Sequence, residues 1–200
     1  MSEIPIIEET FFAICRTWGN LTASVTTVGS INAMTSGIDS ADLNMVWTEK
    51  PLAPDDTCAL ERVKGDFQSK GLPFWFWVFP SAKTATTLDI LKAAGLSLIT
   101  STPCMLVDLE LPAERVSEST LISVRRVENK KALALWRDVS FAGFDFPTET
   151  FGQYDRFTGL FNLRPGCPHR LFLAFAGNQP AATAILLLTK NAAGIYFVTT

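Results

Sequence analysis

The last thirty-one residues constrain the fold most. Residues 170–200 read RLFLAFAGNQPAATAILLLTKNAAGIYFVTT: an apolar run, a polar turn, a second apolar run, a turn and a third. The runs are rich in Leu, Ile, Phe, Val and Ala. The punctuation between them, GNQP at 177–180 and a Lys-to-Gly stretch at 190–194, is of the residue types that hairpin turns require. Three short strands in succession, joined by tight turns, predict an antiparallel meander. A segment of this kind normally feeds a loop and a helix that cover one face of the sheet.

The helices read clearly from apolar spacing. Ile7, Phe11, Ile14, Cys15 and Trp18 predict an opening amphipathic helix that Gly19 and Asn20 end. Residues 21–40 are rich in Ser, Thr, Gly and Asn and predict a loop or irregular strand; NMVWT at 44–48 is a short strand. Pro51, Pro54, Asp55 and Asp56 then cap a helix over 57–70 with Leu60, Val63 and Phe67 inward, closed by Gly71. The run PFWFWVFP at 73–80 predicts a buried strand. Thr86 or Thr87 caps a short helix ending at Gly95, and strands follow at 96–100 and 104–109. A polar stretch at 111–119 marks a domain boundary, giving domains 1–112 and 119–200. Beyond it come a strand at 121–127, a helix at 128–141 with Ala132, Leu133, Trp136 and Val139 inward, an aromatic loop GFDFP, and a helix capped by Thr148 with Phe151, Tyr154, Phe157 and Phe161 on one face.

Composition narrows the function. The 200 residues are 48% hydrophobic and 18% charged, with net charge −3. An acidic chain has no electrostatic drive toward phosphate backbones, so nucleic acid is not an expected partner. The N-terminus carries Glu3, Glu8 and Glu9 and lacks the basic start of a signal peptide. No apolar stretch approaches the length that spans a bilayer, so no membrane partner is expected. Cys15, Cys58, Cys104 and Cys167 are scattered, with one histidine, His169, read as an exposed residue beside Pro168. No metal site or disulfide framework is expected, and reduced thiols fit a cytoplasmic protein.

The second half orders strand, helix, helix and three antiparallel strands. In that order, and in the style of GNQPAATAILLL and GIYFVTT, it resembles the opening of the GCN5-related N-acetyltransferase (GNAT) fold. LDILKAAGLSLITSTPCMLVDL resembles the end of that fold, so the first half looks like a degenerate copy. The fold class implied is α+β, GNAT-like. The resemblance implies an acyl-CoA-dependent N-acyltransferase passing an acetyl group directly from acetyl-CoA to a small-molecule or peptide amine. It implies that backbone groups of Phe197, Val198 and Thr199 line the thioester arm. Asp145 and Glu149 stand as candidate general bases, and Tyr196 as a proton donor or acceptor. The family's Gly-rich pyrophosphate loop would follow Thr200, which reads as truncation before the phosphate grip. The alternative is a non-catalytic pseudo-transferase acting as an interaction module. Its C-terminal strand edge would pair two copies into a homodimer.

Overall fold

The computed structural model describes residues 4–108 and 121–200. The chain divides into two units, 1–103 and 104–200. Each forms its own four-stranded sheet. The boundary placed in the sequence at 111–119 falls on residues outside the described set.

In the first unit, α1 (Ile4–Leu21) precedes β1 (Thr26–Val28), β2 (Ile31–Thr35) and β3 (Asn44–Thr48); α2 (Thr57–Lys70) then leads to β4 (Trp75–Trp77), and α3 (Ala85–Ala93) follows. The strands lie in the order β1-β2-β3-β4. The first three are antiparallel, and β4 joins β3 in parallel after the α2 crossover. Strand alternation divides the side chains between two covered faces. On one face Ile31, Ala33 and Val46 meet Leu60, Val63 and Phe67 of α2 and Leu91 of α3. On the other, Phe12 of α1 stacks near Trp47 and the Cys15 thiol meets the Met45 sulfur at 3.1 Å. All five residues of β3 are buried, as a strand covered on both sides must be.

Asn44, fully buried at the start of β3, organises the surrounding loops. Its Oδ1 accepts from the Thr35 hydroxyl and the Ser36 N–H; its Nδ2 donates to the carbonyls of Ile38, Ser40 and Pro73. A buried amide is stable only when satisfied in this way.

The segment read as loop or irregular strand at 21–40 holds the β1–β2 hairpin, with β1 at the edge of the sheet. The short third helix is capped by Thr84, whose hydroxyl accepts from the Thr87 N–H, ahead of the Thr86 or Thr87 expected from the sequence. The strands expected at 96–100 and 104–109 are not present over the described residues 96–108. Leu98, Ile99, Met105 and Val107 are exposed there. Apolar alternation makes a segment able to pair, but it does not by itself bring a strand edge alongside it.

The second unit runs β5 (Ile122–Arg126), α4 (Lys130–Gly143), a short 3-10 turn, α5 (Phe151–Gly159), β6 (His169–Ala176), β7 (Gln179–Leu188) and β8 (Ala193–Thr199). All four strands are antiparallel neighbours in the order β5-β6-β7-β8. Asn129 caps α4 through its side chain, which accepts from the Ala132 N–H. Leu171, Leu173, Ile185 and Leu187 are buried on the face that shares its core with Leu133, Trp136, Tyr154 and Phe157. The opposite face leaves Ile122, Val124 and Ile195 exposed.

Candidate functional site on the last strand

A break in register marks the end of β8. Ile185 of β7 lies opposite Tyr196, and Thr183 lies opposite Thr199. Two steps along β7 therefore meet three along β8, which is a β-bulge. Phe197 takes φ +56°, a left-handed backbone that a non-glycine residue adopts only where its surroundings hold it.

Those surroundings are aromatic. The Phe197 ring stacks on Trp136 at 5.8 Å, meets Phe144 edge-on at 4.6 Å and lies 6.5 Å from Tyr154. The extra residue turns Tyr196 and Phe197 both to the helix side. Val198 is then left 60% exposed on the open face, and Thr199 returns to the buried side. Thr183 donates its hydroxyl to the Phe197 carbonyl at 3.2 Å, satisfying a group that the bulge takes out of the ladder. Gly143, the last residue of α4, lets the strand end approach. A Cβ there would lie 2.3 Å from Thr199 Oγ1 and 3.1 Å from Thr199 Cβ.

The predicted site residues separate into two groups. Phe197, Val198 and Thr199 form the bulge and its exit. The Phe197 side chain belongs to the core, so only its backbone is available to a ligand. Tyr196 is half-buried, its ring folded back over Gly194. Asp145 and Glu149 are both exposed in the segment joining α4 to α5. Asp145 has φ +52° and donates its N–H to the Ala142 carbonyl. It stands between Phe144, which touches Phe197, and Phe146, which packs on Tyr154 at 5.4 Å. Glu149 lies in the 3-10 turn Thr148–Thr150, within 3.5 Å of the Thr148 hydroxyl. The Tyr154 phenol is fully buried; burial pushes its pKa up, with the Ser140 hydroxyl at 2.7 Å opposing only part of that. It is neutral at physiological pH.

His169 departs from its expected place. It is 4% exposed, with its ring 5.7 Å from that of Phe161. Burial lowers its pKa, and a hydrogen bond to the Asn162 carbonyl offsets that only in part. Thr183 and Gly143 were not singled out in the sequence. A glycine inside the helical pattern SFAGF is the one signal that pointed to Gly143.

The bulge takes one residue of β8 out of the ladder, and Thr199 beyond it lies opposite Thr183 again. Among the described residues no Gly-rich turn enters a helix. In the first unit, an acidic side chain ties together the turn before α2. The Asp56 carboxylate accepts from the Ala53 N–H at 2.9 Å and the Ser30 N–H at 3.3 Å. Burial alone would raise its pKa, but those bonds and the charge of Lys50 hold it below the usual range.

No family model matches the chain, and no curated protein sequence does. A solved structure does: the GCN5-related N-acetyltransferase from Kribbella flavida, with TM-score 0.65 and 14% identity over 96% of this chain and 72% of that one. The chain has the GNAT fold, of mixed α+β class. At that identity the likeness establishes the fold alone.

Among the described residues no helix is long and apolar enough to cross a membrane.

Proposed function

We propose that this chain is of the acyltransferase kind, and that the second unit receives the acyl end of acetyl-CoA along β8 for transfer to an amine. The observation that carries this reading is the bulge at Phe197, on the last strand of a GNAT-fold meander, braced by Thr183 and by the aromatic cluster. Acetyl-CoA would supply an acyl group activated as a thioester. The backbone of Val198 and Thr199 would hold that arm, with one N–H facing the carbonyl oxygen where charge develops. A small-molecule or peptide amine would approach from the side of the α4–α5 loop. Asp145 is the better placed base: its left-handed turn sets it one residue from the ring that contacts the bulge. Glu149 is the alternative.

Calorimetric titration with acetyl-CoA, and with acetyl-pantetheine, tests the reading. Binding of both, with similar enthalpy, supports an arm-only site. No heat with either at millimolar ligand overturns it.

A second reading is favoured by the open side of the same strand. Ile195 and Val198 are exposed, and β8 carries no charged residue to discourage edge pairing. In this reading β8 pairs with its counterpart in a second copy, and the chain acts as an interaction module. Light scattering that gives a dimer mass, reduced to a monomer by Val198→Lys, supports it. A monomer at every concentration rejects it.

A further inference from the structure

The face of the second sheet that turns away from α4 and α5 carries two cations and no acid. Residues directly opposite on antiparallel strands share a face. Arg126 of β5 lies opposite Phe172 of β6; Arg170 lies opposite Leu186 of β7, which in turn faces Ile195 of β8. The residues that alternate with these, Leu171 and Leu187 among them, are buried on the helix side. The outer face is otherwise apolar. Val124 is 65% exposed and Ile195 67%, with Phe172 and Leu186 half-buried between them. None of the four strands contains Asp or Glu.

The two arginines are diagonal neighbours across β5 and β6, with Cα atoms about 7–8 Å apart. Among the described residues neither enters an ion pair, and Arg126 Nε is buried with no acceptor. Arg125, the adjacent residue of β5, points to the other side and lies over the Phe175 ring at 4.6 Å. Two guanidiniums side by side on an apolar face, with no carboxylate on it, hold donors that the described residues leave unused.

Charge selects the occupant of such a face. A second copy docked by the same face across a two-fold axis would set the arginines of one copy against those of the other, with no acid between them. An anionic membrane attracts two cations only weakly, and segments that seek it carry about four or more. A helix with one apolar side and a carboxylate in that side matches both features. The face is four strands across, roughly 15–20 Å at normal strand spacing, and takes one helix of about 10–12 Å diameter. A carboxylate presents two oxygens to planar guanidinium donors, so one acid can engage both arginines.

We propose that this face docks an amphipathic helix of a partner protein. Its apolar side lies on Val124, Phe172, Leu186 and Ile195, and a Glu or Asp of that side lies between Arg126 and Arg170. The contact is made by side chains of the sheet face, so it is separate from the helix side of the β8 bulge and from backbone pairing at the β8 edge.

Fluorescence anisotropy on the full chain tests this with two labelled amphipathic peptides of about 18 residues, long enough to cross the sheet. Both carry Leu at helical spacing on one side; one has a single Glu in that side and the other a Lys. We expect the Glu peptide to bind at least about tenfold more tightly. Arg126→Glu combined with Arg170→Glu should reverse the order, with far-UV circular dichroism unchanged. If that double variant does not fold, the order in the wild type decides. Equal affinity for both peptides, or no binding of either at about 1 mM chain, overturns the proposal. If neither peptide binds, sedimentation of the chain with phosphatidylserine vesicles assigns the face to a membrane instead, and a dimer mass abolished by Val124→Asp assigns it to a second copy.

Discussion

Gly143 illustrates how a single residue sets the site. In an ordinary helix position, replacing glycine by alanine is favourable by roughly 0.5–1 kcal/mol, because the unfolded chain loses freedom. At Gly143 the new methyl would meet both Oγ1 and Cβ of Thr199, so rotating the threonine does not clear it. Overpacking of this kind costs about 1–3 kcal/mol. Gly143→Ala should therefore lower the denaturant midpoint, whereas Gly152→Ala, whose Cβ would meet nothing closer than 3.9 Å, should leave it unchanged or raise it. Asp145 poses a different question, because its carboxylate and its left-handed backbone are separable. Asp145→Asn keeps the backbone preference and removes the charge. If Asp145 is the base, acyl transfer to an amine falls by roughly 10²–10⁴ in Asp145→Asn with the melting temperature unchanged. Activity equal to wild type transfers the role to Glu149 or to neither.

At the scale of elements, Asn44 is the clearest case of a polar residue that the fold depends on. Replacing it by leucine strands the Ile38, Ser40 and Pro73 carbonyls and the Ser36 N–H at once. Unsatisfied buried groups cost about 1–3 kcal/mol each, with partial relief from rearrangement. Asn44→Leu should lose at least about 3 kcal/mol in chemical unfolding, against under 1 kcal/mol for Ser69→Ala at an exposed position near the end of α2. Elements whose signal is local were legible in the sequence. Helix α2 was, because Asp55, Asp56 and Gly71 mark its ends and Leu60, Val63 and Phe67 its inner face. The terminal meander was, because its turns lie between apolar runs. What escaped was set by distant partners. Residues 96–108 read as strands because alternation records the capacity to pair and not the presence of a partner. Of the candidate site, the strand and its loop were readable, but the bulge was not. Nothing in GIYFVTT says that Trp136, Phe144 and Thr183 will hold one residue in a left-handed turn.

At the scale of the whole molecule, charge and burial predict an acid-sensitive fold. His169 is buried with its pKa lowered, so the folded state binds fewer protons than the unfolded state near the ordinary histidine value of about 6.5. Its stabilising contribution is complete above that pH and is lost as the pH falls below it, with a slope of at most about 1.4 kcal/mol per pH unit for one proton. The Asp56 carboxylate, held below its ordinary value by Ala53 and Ser30, adds a loss at more acid pH, once the pH falls below the usual carboxylate range. Unfolding free energies between pH 7 and 5 should therefore decline in wild type and flatten in His169→Gln.

Amide hydrogen exchange tests most directly the proposed binding of a thioester arm at the β8 bulge. With acetyl-CoA added in excess, peptides covering residues 195–199 and the α4–α5 loop at 143–149 should gain protection, while β1–β2 and α2 of the first unit stay as they were. Protection confined to the first unit, or unchanged exchange throughout residues 195–199, would contradict the account.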